Sequence, residues 1–218
     1  MLGERDGEAE STRRGAGLRR GFLAVVPPPA VRRWAESRAE SVRRDGRGLR
    51  WMRPDQRHLT VQFLGRADDS LVDSLTESVA ESVRRIPPFT LALGGGGAFP
   101  SPRRASVLWL GVTTGAAELA VLAGAINAAT APLGFAADDR PFRAHLTLAR
   151  DNRPRDVRSL VEQLSTGPVG PPFTVDRVVL FDSDTRPEGA VHAERNRFAL
   201  GGDPDASSIR GGRGSAPC

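Results

Sequence analysis

Two copies of one tripeptide hold the residue types in this chain that could transfer protons. His58-Leu59-Thr60 and His145-Leu146-Thr147 lie 87 positions apart and use two of the three histidines in the 218 residues. An imidazole titrates close to neutral pH, and a threonine hydroxyl can hydrogen-bond an anionic oxygen. The repeat therefore predicts a pair of acid and base groups, each with a hydroxyl beside it.

The alternation of side chains along a β-strand explains the spacing within each copy. His58 and Thr60 would lie on one face of a strand, roughly 6–7 Å apart. Residues 59, 61 and 63, which are Leu, Val and Phe, would then point into a core. The same parity puts His145 and Thr147 on one face. If the two copies meet across a groove, one imidazole can protonate a leaving oxygen while the other deprotonates an attacking one.

A phosphodiester is the reacting group that this arrangement suits. The hydroxyls of Thr60 and Thr147 would bind the non-bridging oxygens and hold phosphorus between the imidazoles. Arg143, two residues before His145 and on the same face, would neutralise phosphate charge. Arg150 would fall on the opposite face of a regular strand, so we leave it out of the site; a β-bulge would reverse that assignment. His192 has no threonine partner and is interpreted as a loop or strand-edge residue.

The elements around the two motifs alternate strand-like and helical segments, as in a mixed α and β domain. Hydrophobic periodicity predicts helices at about 29–44, 70–85, 116–130 and 154–164. Strands are expected at 20–26, 49–52, 58–64, 89–93, 106–112, 143–149, 173–181 and 195–200. The pairs 89–93 with 106–112 and 173–181 with 195–200 resemble hairpins. An α+β fold with mainly antiparallel sheets is therefore expected.

The run Gly94 to Gly97 is not interpreted as a phosphate-binding loop. No Gly-Lys-Ser or Gly-Lys-Thr follows it, and the chain contains no lysine. A strand exit or bulge is the better explanation.

Composition sets limits on the class of protein. All 31 basic residues are arginine, which indicates a compositional bias, so the net charge of +5 is weak support for nucleic-acid binding. We expect no membrane-spanning segment, no secretory signal, and a cytoplasmic protein whose only cysteine is Cys218. Residues 1–18 and 201–218 are expected to be flexible tails around one domain at 19–200. A monomer is assumed by default.

The two motifs, as His58-Leu59-Thr60-Val61 and His145-Leu146-Thr147-Leu148, resemble those of the two-histidine phosphoesterases. Within that superfamily the chain is similar to the bacterial RNA 2′,3′-cyclic phosphodiesterases, historically called 2′-5′ RNA ligases. The resemblance runs from about residue 20 to 200. It includes the segments 49–51, 63–65, 97–100, 107–111 and 140–143. Ala144 departs from the family pattern, which commonly has proline there.

The resemblance implies two pseudo-symmetric lobes, each with an antiparallel sheet and packed helices, around a central groove. It implies opening of a 2′,3′-cyclic phosphate to a 2′-phosphate without a metal or other cofactor. His58 would be the proton donor and His145 the proton acceptor, although the residues alone leave the two roles open. RNA ends and cyclic nucleotides are the implied partners, and reversal of the chemistry would join ends by ligation.

Two alternatives remain open at this stage. His58, His145 and a carboxylate such as Asp138 or Asp139 could hold a metal ion. The chain could also be a non-catalytic RNA or nucleotide binder that uses its arginines for phosphate contacts. Such a binder would not need an acid and base pair.

Overall fold

The computed structural model describes residues 17–136, 140–186 and 189–201. Most of the two predicted tails lies outside these ranges, and the first strand already begins at Leu18. The strands in the described ranges are β1 (Leu18–Val25), β2 (Arg50–Trp51), β3 (Leu59–Ala67), β4 (Phe89–Phe99), β5 (Ala105–Thr114), β6 (His145–Arg155), β7 (Phe173–Val175), β8 (Arg177–Arg186) and β9 (Gly189–Ala199). The helices are α1 (Pro29–Arg43), α2 (Asp69–Val83), α3 (Ala116–Thr130) and α4 (Arg158–Ser165).

Local sequence explains where the helices begin and which face they bury. Proline at the first position of α1 has the backbone angle that a helix requires and lacks an amide hydrogen that would go unpaired there. The Asp68 side chain caps α2 by accepting a hydrogen bond from the Leu71 amide at 2.9 Å. Aliphatic residues spaced by four, Leu75, Val79 and Val83, form the buried face of α2.

The strands form one mainly antiparallel sheet in the order β7-β4-β5-β6-β3-β1-β8-β9, with β2 paired to β6. The two predicted hairpins are confirmed as β4–β5 and β8–β9. The strands that carry the two motifs, β3 and β6, meet in the middle of the sheet, where Leu59 is paired with Leu146. The order of the sheet therefore places each motif strand at the inner edge of its own half of the sheet.

Each half carries its own pair of helices. In one half, the Thr130 hydroxyl of α3 donates to the Gln62 side chain of β3 at 3.0 Å, and α2 packs beside α3. In the other half, the Gly96 amide of β4 donates to the Ser165 hydroxyl of α4 at 3.0 Å. Arg38 of α1 bonds the Gln163 carbonyl of α4 at 3.0 Å. This arrangement confirms the expected α+β fold of two pseudo-symmetric halves.

Several element boundaries differ from the prediction. The strand predicted at 173–181 is divided into β7 and β8, and the one predicted at 195–200 already begins at Gly189. The glycine run does not end β4 but continues it, with a bulge at Gly95, where φ is +72°. Gly97 lies directly beneath the Trp109 ring, so a side chain there would overlap that ring. Helix α4 begins at Arg158 and not near residue 154, because β6 continues to Arg155.

The expectation that no stretch could span a membrane needs a correction. The 18 residues Ala116–Leu133 have a mean hydropathy of 1.4 and meet the length and composition criteria for a membrane helix. Helices in the cores of soluble proteins meet the same criteria, and here the segment packs on α2 and β3. Its buried residues are Leu119, Leu122, Ala123, Ile126 and Thr130.

Candidate active site

A β-bulge follows each of the two motifs at the same position. Pairing of β3 with β1 steps from Thr60 to Gln62, so Val61 is the extra residue. Pairing of β6 with β5 steps from Thr147 to Ala149, so Leu148 is the extra residue. Val61 and Leu148 are equivalent in the repeat. Because a bulge adds one residue to a strand, it reverses the facing of the side chains that follow it, up to the next irregularity.

The bulges overturn two predictions. Regular alternation predicts Phe63 in the core, but its side chain returns to the face of Thr60, and the residue is 66% exposed. Alternation also predicts Arg150 on the far face from His145, but it returns to the face of His145 and Thr147. Phe63 and Arg150 are equivalent positions of the repeat. The two halves of the cleft therefore carry an exposed aromatic ring on one side and a cation on the other.

The two motif histidines are held in the same way. The Nδ1 atom of His58 is 2.8 Å from the Gln56 carbonyl oxygen, and Nδ1 of His145 is 2.7 Å from the Arg143 carbonyl oxygen. A carbonyl only accepts, so each Nδ1 carries a proton and donates it. In the neutral imidazole Nε2 is then the lone-pair nitrogen. Both rings thus present Nε2 as the atom that can take or give a proton.

Aromatic rings fix the orientation of each imidazole. His58 stacks on Phe22 with ring centroids 4.7 Å apart, and Phe181 lies beyond at 6.3 Å. His145 meets Phe99 edge to face at 4.9 Å, and Trp109 lies 6.0 Å away. These contacts restrict the rotation of the rings and exclude water from one side of each.

The two motifs and Arg150 lie within electrostatic reach of one another. Burial lowers the pKa of His58 to about 4, with further lowering by the charges of His192, Arg150 and His145. Burial likewise lowers the pKa of His145, helped by the charges of Arg150 and Arg143. Both imidazoles are therefore neutral at pH 7 in the absence of a ligand. A bound anion would offset the arginine charge and raise both pKa values.

The remaining predicted residues line the same face. The hydroxyls of Thr60 and Thr147 make no hydrogen bond to any residue that the structure describes, so they are available to a ligand. The register of β3 with β6 puts His58 across from Thr147 and His145 across from Thr60. Arg143 is exposed, with its guanidinium 5.9 Å from the centre of the Trp109 ring. Its charge reaches His145.

His192 is a site residue that the sequence analysis missed. Its ring meets His58 edge to face at 5.4 Å and Phe22 at 5.1 Å. Its Nδ1 is 3.1 Å from the Ser183 hydroxyl on the neighbouring strand. No sequence signal marks it, because β9 reaches the site only through its pairing with β8. All three histidines of the chain therefore lie together.

Replacing His192 with glutamine is expected to raise the pKa of His58. The charge of His192 lowers the pKa of His58. Burial lowers the pKa of His192 itself, whereas the charge of Asp55, the carboxylate that faces it, raises that pKa and so helps to keep His192 charged. Without the charge of His192, burial remains the main cause of the lowered pKa of His58. Titration of the His58 ring protons by NMR measures the change. Ser183→Ala, which retains the His192 imidazole, is the matched control; an unchanged or lower midpoint for His58 in the glutamine variant would contradict the prediction.

A buried ion pair positions the residue before the first motif histidine. Arg57 has a fully buried side chain, and its guanidinium donates to the Glu36 carboxylate on α1 and to the Met52 carbonyl at 3.1 Å. Glu36 also accepts from Arg43 at 2.9 Å. Because His58 follows Arg57 directly, this pair anchors the motif to α1.

Replacing Glu36 with alanine is expected to lower the free energy of unfolding by about 3 kcal/mol. Loss of one partner leaves a buried charge uncompensated, and the lower end of the usual range applies because the Glu36 side chain is 33% exposed. Urea denaturation measures the change. Glu40→Ala removes a more exposed partner of Arg43 and is expected to cost about 1 kcal/mol or less. Equal losses of unfolding free energy in the two variants would show that the buried Arg57–Glu36 pair contributes no more to stability than an exposed one.

The described part of the chain does not supply the ligands that the alternative of a metal site at His58 and His145 would need. Within that part, no group of three or more histidine, cysteine or acidic side chains is placed to hold a metal ion. Asp138 and Asp139, the carboxylates considered for it, lie outside the described residues. The arginines beside the two imidazoles would also repel a cation.

Comparison with known proteins is consistent with this geometry. Residues 26–187 match the family described as the 2′-5′ RNA ligase superfamily. A Methanothermobacter thermautotrophicus protein named RNA 2′,3′-cyclic phosphodiesterase is 26% identical over 184 residues, which cover 83% of this chain and 98% of the relative.

Solved structures share the fold over nearly their whole length. The crystal structure of a Thermus thermophilus protein superposes with a TM-score of 0.71 at 27% identity, covering 84% of this chain and 99% of that one. E. coli LigT complexed with 3′-AMP gives a TM-score of 0.66 at 25% identity, covering 84% and 98%.

Proposed function

Because this chain belongs to the 2′-5′ RNA ligase superfamily, we propose that it hydrolyses 2′,3′-cyclic phosphates at RNA ends to 2′-phosphomonoesters. The observation that carries the proposal is the matched pair of imidazoles. Each has Nδ1 bound to a backbone carbonyl two residues earlier, and each presents Nε2 on the face of a threonine hydroxyl. Several relatives are named for this activity, including the one that is 26% identical.

The reaction needs two proton transfers and one displacement at phosphorus. Nε2 of His145 takes a proton from water as the water oxygen bonds to phosphorus. The bond from phosphorus to the 3′ oxygen breaks, and protonated Nε2 of His58 gives that oxygen a proton. The products are a 2′-phosphate and a 3′-hydroxyl. The atoms balance without a metal or other cofactor.

The surrounding groups stabilise the charge that develops at phosphorus. Arg150 is suited to stabilise this negative charge, because its own positive charge acts on both imidazoles between which the phosphate would bind. The hydroxyls of Thr60 and Thr147 donate to the non-bridging oxygens, and Arg143 adds positive charge beside His145. The negative phosphate also raises the pKa of His58, which a proton donor at neutral pH requires.

A direct assay tests the proposal. The purified protein is incubated with an oligoribonucleotide that ends in a 2′,3′-cyclic phosphate, with EDTA present, and 2′- and 3′-phosphate products are separated. Formation of the 2′-phosphate supports the proposal. Product that forms only after addition of a divalent metal would indicate that the histidines are metal ligands and not the acid and base. Absence of product under both conditions would favour the non-catalytic binder.

The same proton transfers, with a different nucleophile, would join two RNA ends. A 5′-hydroxyl in place of water would attack the cyclic phosphate, with His145 again taking the proton. Water is present at far higher concentration, so hydrolysis is expected to dominate. Adding an oligonucleotide with a free 5′-hydroxyl to the assay shows whether any ligated product forms.

A further inference from the structure

A depression with a cavity volume of about 240 Å³ lies beside the candidate active site. Arg150 belongs to both, because it lines the depression and its charge reaches the two imidazoles. The other residues in the wall are Gly48, Arg50, Asp151, Asn152 and Arg153. The volume equals that of roughly eight liquid water molecules at about 30 Å³ each. The depression therefore has room for a further charged group of a substrate that is bound at the histidines.

The strand pairing sets two like charges side by side at this place. Arg50 of β2 is paired directly with Arg150 of β6. Side chains that are directly opposite in an antiparallel pair share one face, and like charges there destabilise the sheet. Desolvation and the charge of Arg50 both lower the pKa of Arg150, although part of its side chain is exposed. The arrangement costs free energy in the empty protein, and an anion bound between the two arginines would remove that cost.

The arginines of the depression lack carboxylate partners among the residues that the structure describes. Elsewhere in the chain, guanidinium groups are commonly paired with acids, as at Arg19–Asp184, Arg53–Asp55, Arg85–Glu81, Arg158–Asp156, Arg177–Asp176 and Arg197–Glu194. Arg50, Arg150 and Arg153 have no such pair within the described ranges. The charges of these three guanidinium groups are therefore available to an anion bound in the depression.

The acidic residue in the wall is already neutralised. Asp151 has a side chain that is only 11% exposed, and it pairs with Arg155 at 2.5 Å. Arg155 is held in turn by the Arg47 carbonyl at 2.7 Å, and it lies against Gly48, where φ is +83°. The negative charge of Asp151 is thus compensated by Arg155, and the depression keeps a net positive charge from Arg50, Arg150 and Arg153.

We propose that this depression is a second phosphate subsite, which binds the 5′-phosphate of the nucleotide whose 2′,3′-cyclic phosphate reacts at the histidines. The inference rests on the proposed function. Arg150 holds the reacting phosphate, while Arg50 and Arg153 bind the next phosphate of the backbone. Guanidinium groups suit this task because they contact phosphate with two parallel hydrogen bonds. The preferred substrates are then RNA ends and 5′-phosphorylated nucleotides, not nucleoside cyclic phosphates that lack a second phosphate.

The test compares two substrates that differ by one phosphate. A nucleoside 2′,3′-cyclic phosphate and its 5′-phosphorylated form are assayed with the wild-type protein and with Arg50→Gln and Arg153→Gln. The 5′-phosphate is expected to raise kcat/KM by about 10-fold or more in the wild type, as a charged hydrogen bond allows. The glutamine variants are expected to lose most of this ratio. Arg33→Gln removes the same charge from an exposed position on α1 and is expected to retain it.

The outcomes separate this inference from the proposed function. Hydrolysis of both substrates with equal kcat/KM by the wild type would overturn the second subsite and leave the proposed function standing. A phosphate advantage that survives both Arg50→Gln and Arg153→Gln would place the contact elsewhere and overturn it as well. Hydrolysis of the cyclic phosphate-terminated oligoribonucleotide but of neither mononucleotide would overturn the second subsite alone, and hydrolysis of none of the three would overturn both proposals. A dinucleotide that ends in a cyclic phosphate is expected to behave like the 5′-phosphorylated nucleotide.

Discussion

Replacing either His58 or His145 with alanine is expected to reduce kcat/KM for a 2′,3′-cyclic phosphate by about 10²–10⁴-fold. Each imidazole is proposed to move one proton, since each presents Nε2 while a backbone carbonyl holds Nδ1. The two act in one step, so the double variant is expected to lose little more than either single variant. Steady-state rates of 2′-phosphate formation measure the loss.

Two controls keep this result interpretable. Asparagine at either position keeps a polar side chain of similar reach without acid or base function, and it should be as inactive as alanine. Circular dichroism and thermal unfolding show whether each variant is folded. Retention of full activity in a folded His58→Ala, His145→Ala double variant would end the two-histidine mechanism.

The division of roles between the histidines needs its own measurement. A cyclic substrate with sulfur in place of the bridging 3′ oxygen releases a thiolate, which leaves without a proton. The variant that lacks the proton donor should recover activity on this substrate, whereas the variant that lacks the acceptor should not. Recovery in His58→Ala supports the assignment proposed here; recovery in His145→Ala would reverse it.

Replacing Arg150 with glutamine is expected to lower kcat by about 10²–10³-fold, as loss of one preorganised donor to a developing anion does elsewhere. The charge of Arg150 reaches both imidazoles, whereas that of Arg143 reaches His145 and its guanidinium lies over Trp109. Arg143→Gln is therefore the matched comparison, with a smaller expected loss. Equal losses, or a larger loss for Arg143, would contradict the assignment.

The same substitution has an expected signature in the pH profile. The positive charge of Arg150 lowers the pKa of His58 and that of His145. Its removal raises both, so both limbs of a bell-shaped profile of kcat/KM should move to higher pH. Arg143→Gln should raise only the pKa of His145 and move one limb. Rates measured across the full pH range distinguish these patterns.

The repeat of His, Leu and Thr was readable in the sequence because side-chain alternation links residues two apart to one face of a strand. Both histidines and both threonines follow from it. The helices follow from hydrophobic periodicity, because their buried residues recur every three to four positions. The two hairpins were likewise predictable, since short runs of strand-forming residues flank a turn. These are local relations, in which propensity and periodicity act over fewer than about twenty residues.

The tertiary structure alone decided which further side chains join the motifs. The bulges at Val61 and Leu148 depend on the register with β1 and β5, so the facing of Phe63 and Arg150 could not be obtained from either strand by itself. His192 comes to the site through the β8–β9 pairing, and Arg50 meets Arg150 through β2. Each contact joins segments distant in sequence, and its energy depends on packing and register that exist only once the sheet has formed.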